Sequence, residues 1–353
     1  MRSSERSYLK LGSWARIIFW FVLFVGGSIS WALTIDGKSS WTAFLVNFLF
    51  FVSAGAGMFT WRVLLFVTRA QWAKDVEYLT SAAWWLCIPS LAALGLLWIG
   101  SPEWLSWQKT TLKLGNWLYF NYLFPRNIGA LVLFWFLGWL FLSLLKQRKD
   151  AGLIAGFTGF VYMATFSLLA VDLVMGPIAP WRSALFPPYF FATALYIGIV
   201  MWTLFSLGSV SKSTLHDMGV LILTLALVSV YFMFCQLLTI WYENIPLEIK
   251  YLIPRLNYPW RWISLALLIM IYLGPIIWLL GSSWKENRAY MAFLCIFLLI
   301  GLWIERWWLI VPTFSEKTIE YTFSYGASTI LLAGLYGFTY ELSVRYGGFQ
   351  RYS

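Results

Sequence analysis

Charged side chains inside long apolar segments are the residues of this chain that could do chemistry. Asp172 ends one such segment, and Glu305 and Arg306 lie inside another. A charge at the centre of a bilayer costs ~2.5–3.5 kcal/mol on insertion scales, so each of these groups must face protein or water. Ionisable groups held in this way often carry protons, and these three positions are therefore the first candidates for a functional site.

Asp172 has two interpretations. It lies in the stretch AVDLVMGPIAPWRSALFPPYFF, in which Pro177, Pro180, Pro187 and Pro188 end a helix and stiffen the connection that follows. The acid is either a capping or loop residue, or a group that accepts protons or hydrogen bonds at the mouth of a cavity. We interpret the stretch as a hinge between two helical bundles, with its acid facing a polar gap.

Glu305 and Arg306 also leave two interpretations open. Adjacent residues of a helix point about 100° apart, so the two side chains need not pair with each other. We expect each to meet a group on a neighbouring helix. They then form either a structural ion pair or part of a path for protons or quinol.

The other polar residues near the apolar segments give weaker signals. Arg62 is expected to reach the membrane surface as an anchor. His216 and Asp217 begin a segment, where an acid favours the positive end of the helix dipole. Glu243 follows Gln236 by seven residues, and the pair could line an outward-opening polar groove.

The elements that carry these residues are membrane-spanning helices. The chain of 353 residues is 61% hydrophobic and 11% charged, whereas a soluble domain has about 25% charged residues. Apolar stretches long enough to cross a bilayer recur from end to end. The sequence predicts an all-α polytopic membrane protein that forms one integral membrane domain over residues 1–353. The ten predicted spans are Trp14–Leu33, Thr42–Val67, Ser81–Ile99, Ile128–Leu145, Leu153–Met175, Pro188–Leu207, Val220–Tyr242, Trp262–Leu280, Tyr290–Val311 and Phe323–Tyr340.

The basic residues give the expected orientation. The net charge of +10 comes from lysines and arginines scattered in short connections, which excludes a nucleic-acid partner in favour of lipid contacts. More of them lie on the side of the two termini, so both termini are predicted to be cytoplasmic. On the outer side, residues 101–126 predict an interfacial helix rich in aromatic residues.

Cysteine and histidine usage excludes several redox cofactors. Cys87, Cys235 and Cys295 are far apart, and no C-x-x-C occurs, so neither an iron–sulfur cluster nor a covalent c-type haem fits this chain. His216 is the sole histidine, whereas a bis-histidine haem needs two. No metal site or self-contained catalytic site is predicted.

Four stretches resemble a known family in order and spacing. DLVMGPIAPWRS (Asp172–Ser183) resembles the D-W-L-M-S-L-x-P-x-W-x-S-T signature of the ActF-type membrane subunit of alternative complex III, in the NrfD/PsrC superfamily of quinol-interacting proteins. QLLTIWYENIPLEIKYLIPR (Gln236–Arg255) is similar to Q-Y-L-L-I-W-Y-x-N-I-P-E-E…R. TRAQWAKDVEYL (Thr68–Leu79) and LHDMGVLIL (Leu215–Leu223) complete the set.

The matched positions include Arg255 and several residues already singled out. The positions that carry over are Asp172, Pro180, Trp181, His216, Asp217, Asn244, Pro246 and Arg255. The chain departs from the pattern at Leu173, Ile178, Arg182 and in the pair Leu247–Glu248, which indicates a divergent member.

The resemblance implies two four-helix bundles, at about 42–175 and 188–311, flanked by helices at 14–33 and 323–340. It also implies a cofactor-free subunit, in a bacterial inner membrane, of a complex that oxidises quinol. Its partners would be a sister NrfD-type membrane subunit, an iron–sulfur protein and a c-type cytochrome that carries haem c. Quinol would bind nearby, in the sister subunit, while this chain would support assembly and a proton path through Asp172, Glu305 and the His216–Asp217 end.

Two other functions fit the same composition. Pro89 and Pro275 inside predicted spans suit the broken helices of a free-standing ion or solute transporter. Against this reading, no interrupted helices recur at corresponding positions of the two halves. A membrane anchor that only holds partners is the remaining alternative.

Overall fold

The computed structural model describes residues 2–35, 37–105, 117, 120–178, 181–243, 246–315 and 323–348. Half of the predicted interfacial helix at 101–126 lies outside these residues, as do Pro180 and Asn244. Within them no β-strand occurs. The α-helices in chain order are α1 (Arg2–Thr34), α2 (Gly37–Val67), α3 (Glu77–Ala82), α4 (Cys87–Ile99), α5 (Ser101–Trp104), α6 (Phe120–Lys146), α7 (Gly152–Leu169), α8 (Phe186–Ser206), α9 (Lys212–Glu243), α10 (Pro246–Leu256), α11 (Trp260–Leu267), α12 (Gly274–Leu279), α13 (Ser282–Lys285), α14 (Arg288–Phe314) and α15 (Phe323–Tyr346).

Nine helical segments of the described residues are long and apolar enough to cross a membrane. A tenth long helix, α15, has 24 residues and is less apolar than these nine. The prediction of an all-α polytopic membrane protein with about ten spans is confirmed. The nine segments are Trp14–Thr34, Gly37–Val67, Glu77–Ile99, Asn121–Lys146, Gly152–Ile178, Phe186–Ser206, Lys212–Glu243, Trp260–Leu279 and Arg288–Phe314.

The helices pack as two rings of neighbours that share one interface. Helices α2, α4, α6 and α7 form one ring, while α8, α9, α14 and the segment Trp260–Leu279 form the other. Helix α2 packs along α8 between the rings, and α15 lies between α1 and α2. The sequence limits of the two predicted bundles stay a prediction, because α2 and α8 join the rings into one body.

Two glycines let α2 and α8 approach at backbone distance. A Cβ added to Gly57 would lie 2.2 Å from the carbonyl oxygen of Ala194, and one added to Gly198 would lie 2.3 Å from the carbonyl carbon of Gly57. Small residues of this kind allow close helix contact in membranes, where apolar burial alone gives helices no reason to associate.

Prolines explain two short π-helical turns, at Ala170–Met175 and Leu268–Leu273. Each is followed by a Gly-Pro pair. A proline has no backbone N–H, so it leaves the carbonyl four residues earlier without its helical donor. At Pro275 that carbonyl belongs to Ile271, and the Tyr196 hydroxyl donates to it at 3.4 Å. Turns of this type are frequent at functional sites.

Several helix limits differ from the predicted spans. The fourth span was predicted to begin at Ile128, but α6 begins at Phe120 and contains Pro125 and Arg126. Hydropathy missed this turn because it contains an arginine and a proline. The shift brings Arg126 into the helix, where it becomes available to the candidate site.

The α2–α8 contact predicts that Gly57→Ala is destabilising. The added methyl group overlaps the α8 backbone, and forced overpacking costs ~1–3 kcal/mol. Gly156→Ala is the matched control, because a Cβ there meets nothing within 4 Å. Thermal unfolding in detergent should show a lower midpoint for Gly57→Ala and an unchanged or higher one for the control. Equal midpoints for the two variants would contradict the close contact.

Candidate functional site

Asp172 lies on the first π-helical turn and is fully buried. Four donor bonds from three residues reach its carboxylate. Oδ2 accepts from Arg126 Nη2 at 2.6 Å, from Arg126 Nε at 3.1 Å and from Asn127 Nδ2 at 2.6 Å. Oδ1 accepts from Trp117 Nε1 at 3.1 Å. The Arg126 guanidinium carbon also lies 3.9 Å from the centroid of the Trp117 ring, so the indole packs against the guanidinium.

The prediction that Asp172 faces a polar gap is wrong, since Arg126 and Asn127 of α6 fill the space beside the carboxylate. Helix α6 is thereby tied to the end of α7 by a charge-assisted pair, a strong form of hydrogen bond. Charge compensation and full hydrogen bonding are what a buried carboxylate requires. This geometry gives Asp172 a structural task, and its role in a proton path stays a prediction.

Glu305 and Arg306 do pair with each other, contrary to the expectation from helix geometry. Arg306 Nη1 donates to Glu305 Oε2 at 2.8 Å and to Oε1 at 3.1 Å. The 100° offset separates the Cβ atoms, but the long arginine side chain bridges it. Each residue also meets α8, as expected, because Tyr189 donates to Glu305 at 2.6 Å and Arg306 donates to Thr193 at 2.9 Å.

A second tyrosine extends this cluster to the other π-helical turn. The hydroxyl of Tyr272 lies 2.9 Å from that of Tyr189. Because Tyr189 uses its single proton on Glu305, the bond between the tyrosines must be donated by Tyr272. The hydroxyls and the carboxylate therefore form one directed chain from Tyr272 through Tyr189 to Glu305. We call Glu305, Arg306, Tyr189 and Tyr272 the Glu305 cluster.

An apolar groove of about 310 Å³ reaches this cluster from the surface of the protein. Glu305 and Tyr272 contribute to its inner wall, and Arg261 lies at its exposed rim. Leu256, Leu265 and Leu268 of its wall are exposed by 52%, 46% and 42%, so the groove opens toward lipid. The Glu305 carboxylate and the Tyr272 phenol thus lie at the inner end of a groove that suits a lipophilic molecule.

Arg255 forms a third buried site beside the groove. Its guanidinium donates to the carbonyl oxygens of Tyr251 and Leu309, the latter at 2.8 Å, and lies 3.9 Å over the Tyr251 ring. Trp181 stacks on the other side of Tyr251 at 3.8 Å between centroids. No acid of the described residues forms an ion pair with Arg255. Burial lowers the pKa of Arg255 and raises that of the Tyr251 phenol to about 12.

The remaining predicted residues lie apart from these clusters. His216 Nδ1 lies 3.6 Å from Asp217 Oδ1 on the partly exposed first half of α9. These residues do not begin the helix, which starts at Lys212 after Ser211, whose Oγ accepts from the N–H of Thr214 at 3.1 Å. The Asp217 side chain is thus not the cap of this helix.

One further prediction about polar residues is wrong. Gln236 is 2% exposed whereas Glu243 is exposed, so they do not share a polar groove. Arg62 is largely covered, and its Nη1 lies 3.4 Å from the Glu77 carboxylate at the start of α3. Its role as a membrane-surface anchor stays a prediction.

The structure brings Trp181 and Arg255 together, from two separate stretches of the resemblance, but not Asp172, Glu305 and His216. Sequence reasoning missed Arg126 and the tyrosines, which are ordinary residues until the fold supplies their partners. The sequence placed Arg126 in the segment 101–126, outside the predicted spans, whereas Tyr272 lies inside the predicted span Trp262–Leu280. Among the described residues, no group of three or more His, Cys, Asp or Glu side chains could hold a metal ion.

Comparison with known proteins assigns no family: no family model matches the chain, and no curated protein matches it.

The ion pair of Asp172 predicts a strong coupling with Arg126. Removing either partner leaves the other charge uncompensated, and breaking such a buried pair costs ~3–5 kcal/mol, at the lower end here because Arg126 is partly exposed. Thermal unfolding in detergent of Asp172→Asn, Arg126→Gln and the double variant should give a double variant less destabilised than the sum of the singles. Additive effects would show that the two side chains do not depend on each other.

Proposed function

We propose that this chain is an integral membrane subunit of a quinol-oxidising electron-transfer complex of the alternative complex III type. In this proposal it supports assembly and handles protons at Glu305, while electrons pass through iron–sulfur and c-type haem groups of partner proteins. The resemblance of four ordered stretches supports the complex. The position of Glu305 at the end of the groove is the single observation that carries the proton role.

Quinol oxidation needs the kind of group that Glu305 offers. A quinol has an apolar tail and a hydroxyl head, and its oxidation releases protons together with electrons. A carboxylate within hydrogen-bond reach of a reacting hydroxyl, directly or through another group, can serve as its proton acceptor. Glu305 is joined to Tyr272 through Tyr189, so a proton arriving at the groove end has a continuous hydrogen-bonded route to the carboxylate.

The other buried acid supports a division of roles. Asp172 is closed off by Arg126, Asn127 and Trp117, and it is not among the residues of the Glu305 groove. The electrostatic attraction in a buried ion pair is strongest when protein covers the pair completely, because the interior has a low dielectric constant. An ion pair that serves stability alone therefore gains nothing from a neighbouring cavity. Glu305 borders a cavity, and we therefore assign the proton role to it rather than to Asp172.

The membrane placement in this proposal follows the basic residues. Connections on the side of the two termini carry the larger share of lysine and arginine, which supports cytoplasmic termini. The resemblance supports a bacterial inner membrane. The groove beside α10 then lies on the outer side, where partner proteins with redox groups would dock.

Mild-detergent purification through a tag on this chain tests the proposed complex. Co-purifying haem absorbance and an iron–sulfur resonance signal are expected, together with a second membrane subunit of similar size. A stable and colourless lone protein would contradict the proposal and would favour a transporter or a simple anchor.

The proton role predicts a loss of turnover when the Glu305 pair is made neutral. Glu305→Gln alone leaves Arg306 uncompensated and should cost ~3–5 kcal/mol of stability, so the double variant Glu305→Gln/Arg306→Gln is the informative one. Quinol-driven reduction of c-type haem by the assembled complex should slow by about 100-fold or more, the usual contribution of general acid–base catalysis.

The matched control is the double variant Asp172→Asn/Arg126→Gln, which neutralises the other buried pair in the same way. We expect an assembled complex with turnover close to that of the wild type. Equal losses in the two double variants would contradict a specific role of Glu305, and a loss only in the Asp172 variant would move the proton role there.

A further inference from the structure

A second cavity, of about 440 Å³, has a strongly basic wall. It forms where α2 and α6 end, where α3 begins, and beside the end of α15. Its cationic residues come from three separate parts of the chain, and they are Arg62, Lys74, Lys146 and Arg148. We call it the basic pocket.

The positive charge of the basic pocket is largely uncompensated. Its acid, Glu77, is used by Arg62 at 3.4 Å. In the described residues no ion pair joins Lys74, Lys146 or Arg148 to an acid. The nearby Asp150 instead accepts from the backbone N–H of Gly152 at 2.9 Å. Three cations thus face one cavity without an ion-pair partner among the described residues.

One wall of the basic pocket is apolar and aromatic. Trp84, Trp85 and Trp139 line it together with Leu142 and Leu145. The indole of Trp84 is fixed, because its Nε1 donates to the carbonyl oxygen of Trp135 at 3.0 Å. Tryptophans are enriched at the depth of lipid headgroups, so this wall lies at the boundary between hydrocarbon and water. A matching ligand is anionic at one end and apolar at the other.

Arg148 occupies a backbone conformation that favours glycine. Its φ is 54°, and it ends α6 in a Schellman motif, in which Arg148 N donates to Leu145 O and Lys149 N donates to Leu144 O, both at 3.0 Å. Arg69 ends α2 in the same way, with φ of 53°, but it does not line the basic pocket. The conformation by itself therefore marks no site, and Arg69 serves as a matched control.

We propose that the basic pocket binds an anionic phospholipid. The phosphodiester groups lie against Lys74, Lys146 and Arg148, and the acyl chains run along Trp139, Leu142 and Leu145. Basic pockets between membrane helices on the cytoplasmic side suit lipids such as cardiolipin, whose paired phosphates match a cluster of cations. The same lysine and arginine count that orients the chain assigns this face to the cytoplasm.

Arg148→Gly tests this site without disturbing the helix end. Glycine adopts the required φ freely, so the variant should unfold at the wild-type temperature or above. Each basic residue near an anionic membrane surface contributes roughly fivefold to binding, and we expect cardiolipin to bind Arg148→Gly roughly fivefold more weakly. The double variant Lys146→Gln/Arg148→Gly should bind it roughly 25-fold more weakly. Arg69→Gly should bind as the wild type does.

The measurement is native mass spectrometry of the tagged full chain, with whatever partners it retains, titrated with cardiolipin, phosphatidylcholine or inorganic phosphate. Preference for cardiolipin over phosphatidylcholine, lost in the pocket variants alone, supports the proposal. Three results would overturn it: undiminished cardiolipin binding by the double variant, an equal loss in Arg69→Gly, or competition by millimolar phosphate that reveals a site for the free anion. A partner subunit that blocks cardiolipin until it dissociates would also overturn it, since the pocket would then be a protein interface.

Discussion

The compensation of charge inside an apolar protein is the constraint on which this structure depends. In hydrocarbon a charged side chain is penalised unless another group pairs with it, and the chain satisfies this condition in two ways. Asp172 and Glu305 each have an arginine within 2.8 Å. Arg255 is held by carbonyl oxygens and an aromatic face. Because each pairing joins different helices or fixes one helix against its neighbours, the polar contacts also decide which helices lie side by side.

The two acids show how one constraint can serve two purposes. The side chains of Arg126, Asn127 and Trp117 donate hydrogen bonds to the Asp172 carboxylate, and Asp172 does not line the groove beside the Glu305 cluster. Around Glu305 the arginine is joined by a chain of tyrosines that leads to a groove open to lipid. Burial of both acids is complete, so exposure alone does not distinguish them. The two acids differ in whether their hydrogen-bond partners lead to a groove.

Much of the fold could be predicted from the sequence, because hydropathy and segment length decide where a chain can cross a bilayer. The limits of the helices were harder. Arg126 and Pro125 looked like loop residues, yet they belong to α6, since the buried Asp172 supplies the missing partner for the arginine. A long-range pairing of this kind leaves no periodic signal in a single sequence. The Glu305–Arg306 pair was missed for another reason: the helical offset describes Cβ directions and not the reach of a long side chain.

The candidate site could be predicted only in part. Asp172, Glu305 and Arg255 stand out as polar residues in or beside apolar segments, but the tyrosines that join Glu305 to its groove do not, because tyrosine is common throughout this chain. From the sequence, both π-helical turns could be predicted only as helix breaks before a proline. Which side chain each turn would place in a site could not be predicted.

The most direct measurement of the central claim compares membranes from a strain that lacks this chain with membranes from the same strain complemented by it. The rate at which added quinol reduces c-type haem is recorded in both. We expect reduction to be lost without the chain and to return with it. Undiminished quinol-driven haem reduction in its absence would contradict the proposed membership of a quinol-oxidising complex.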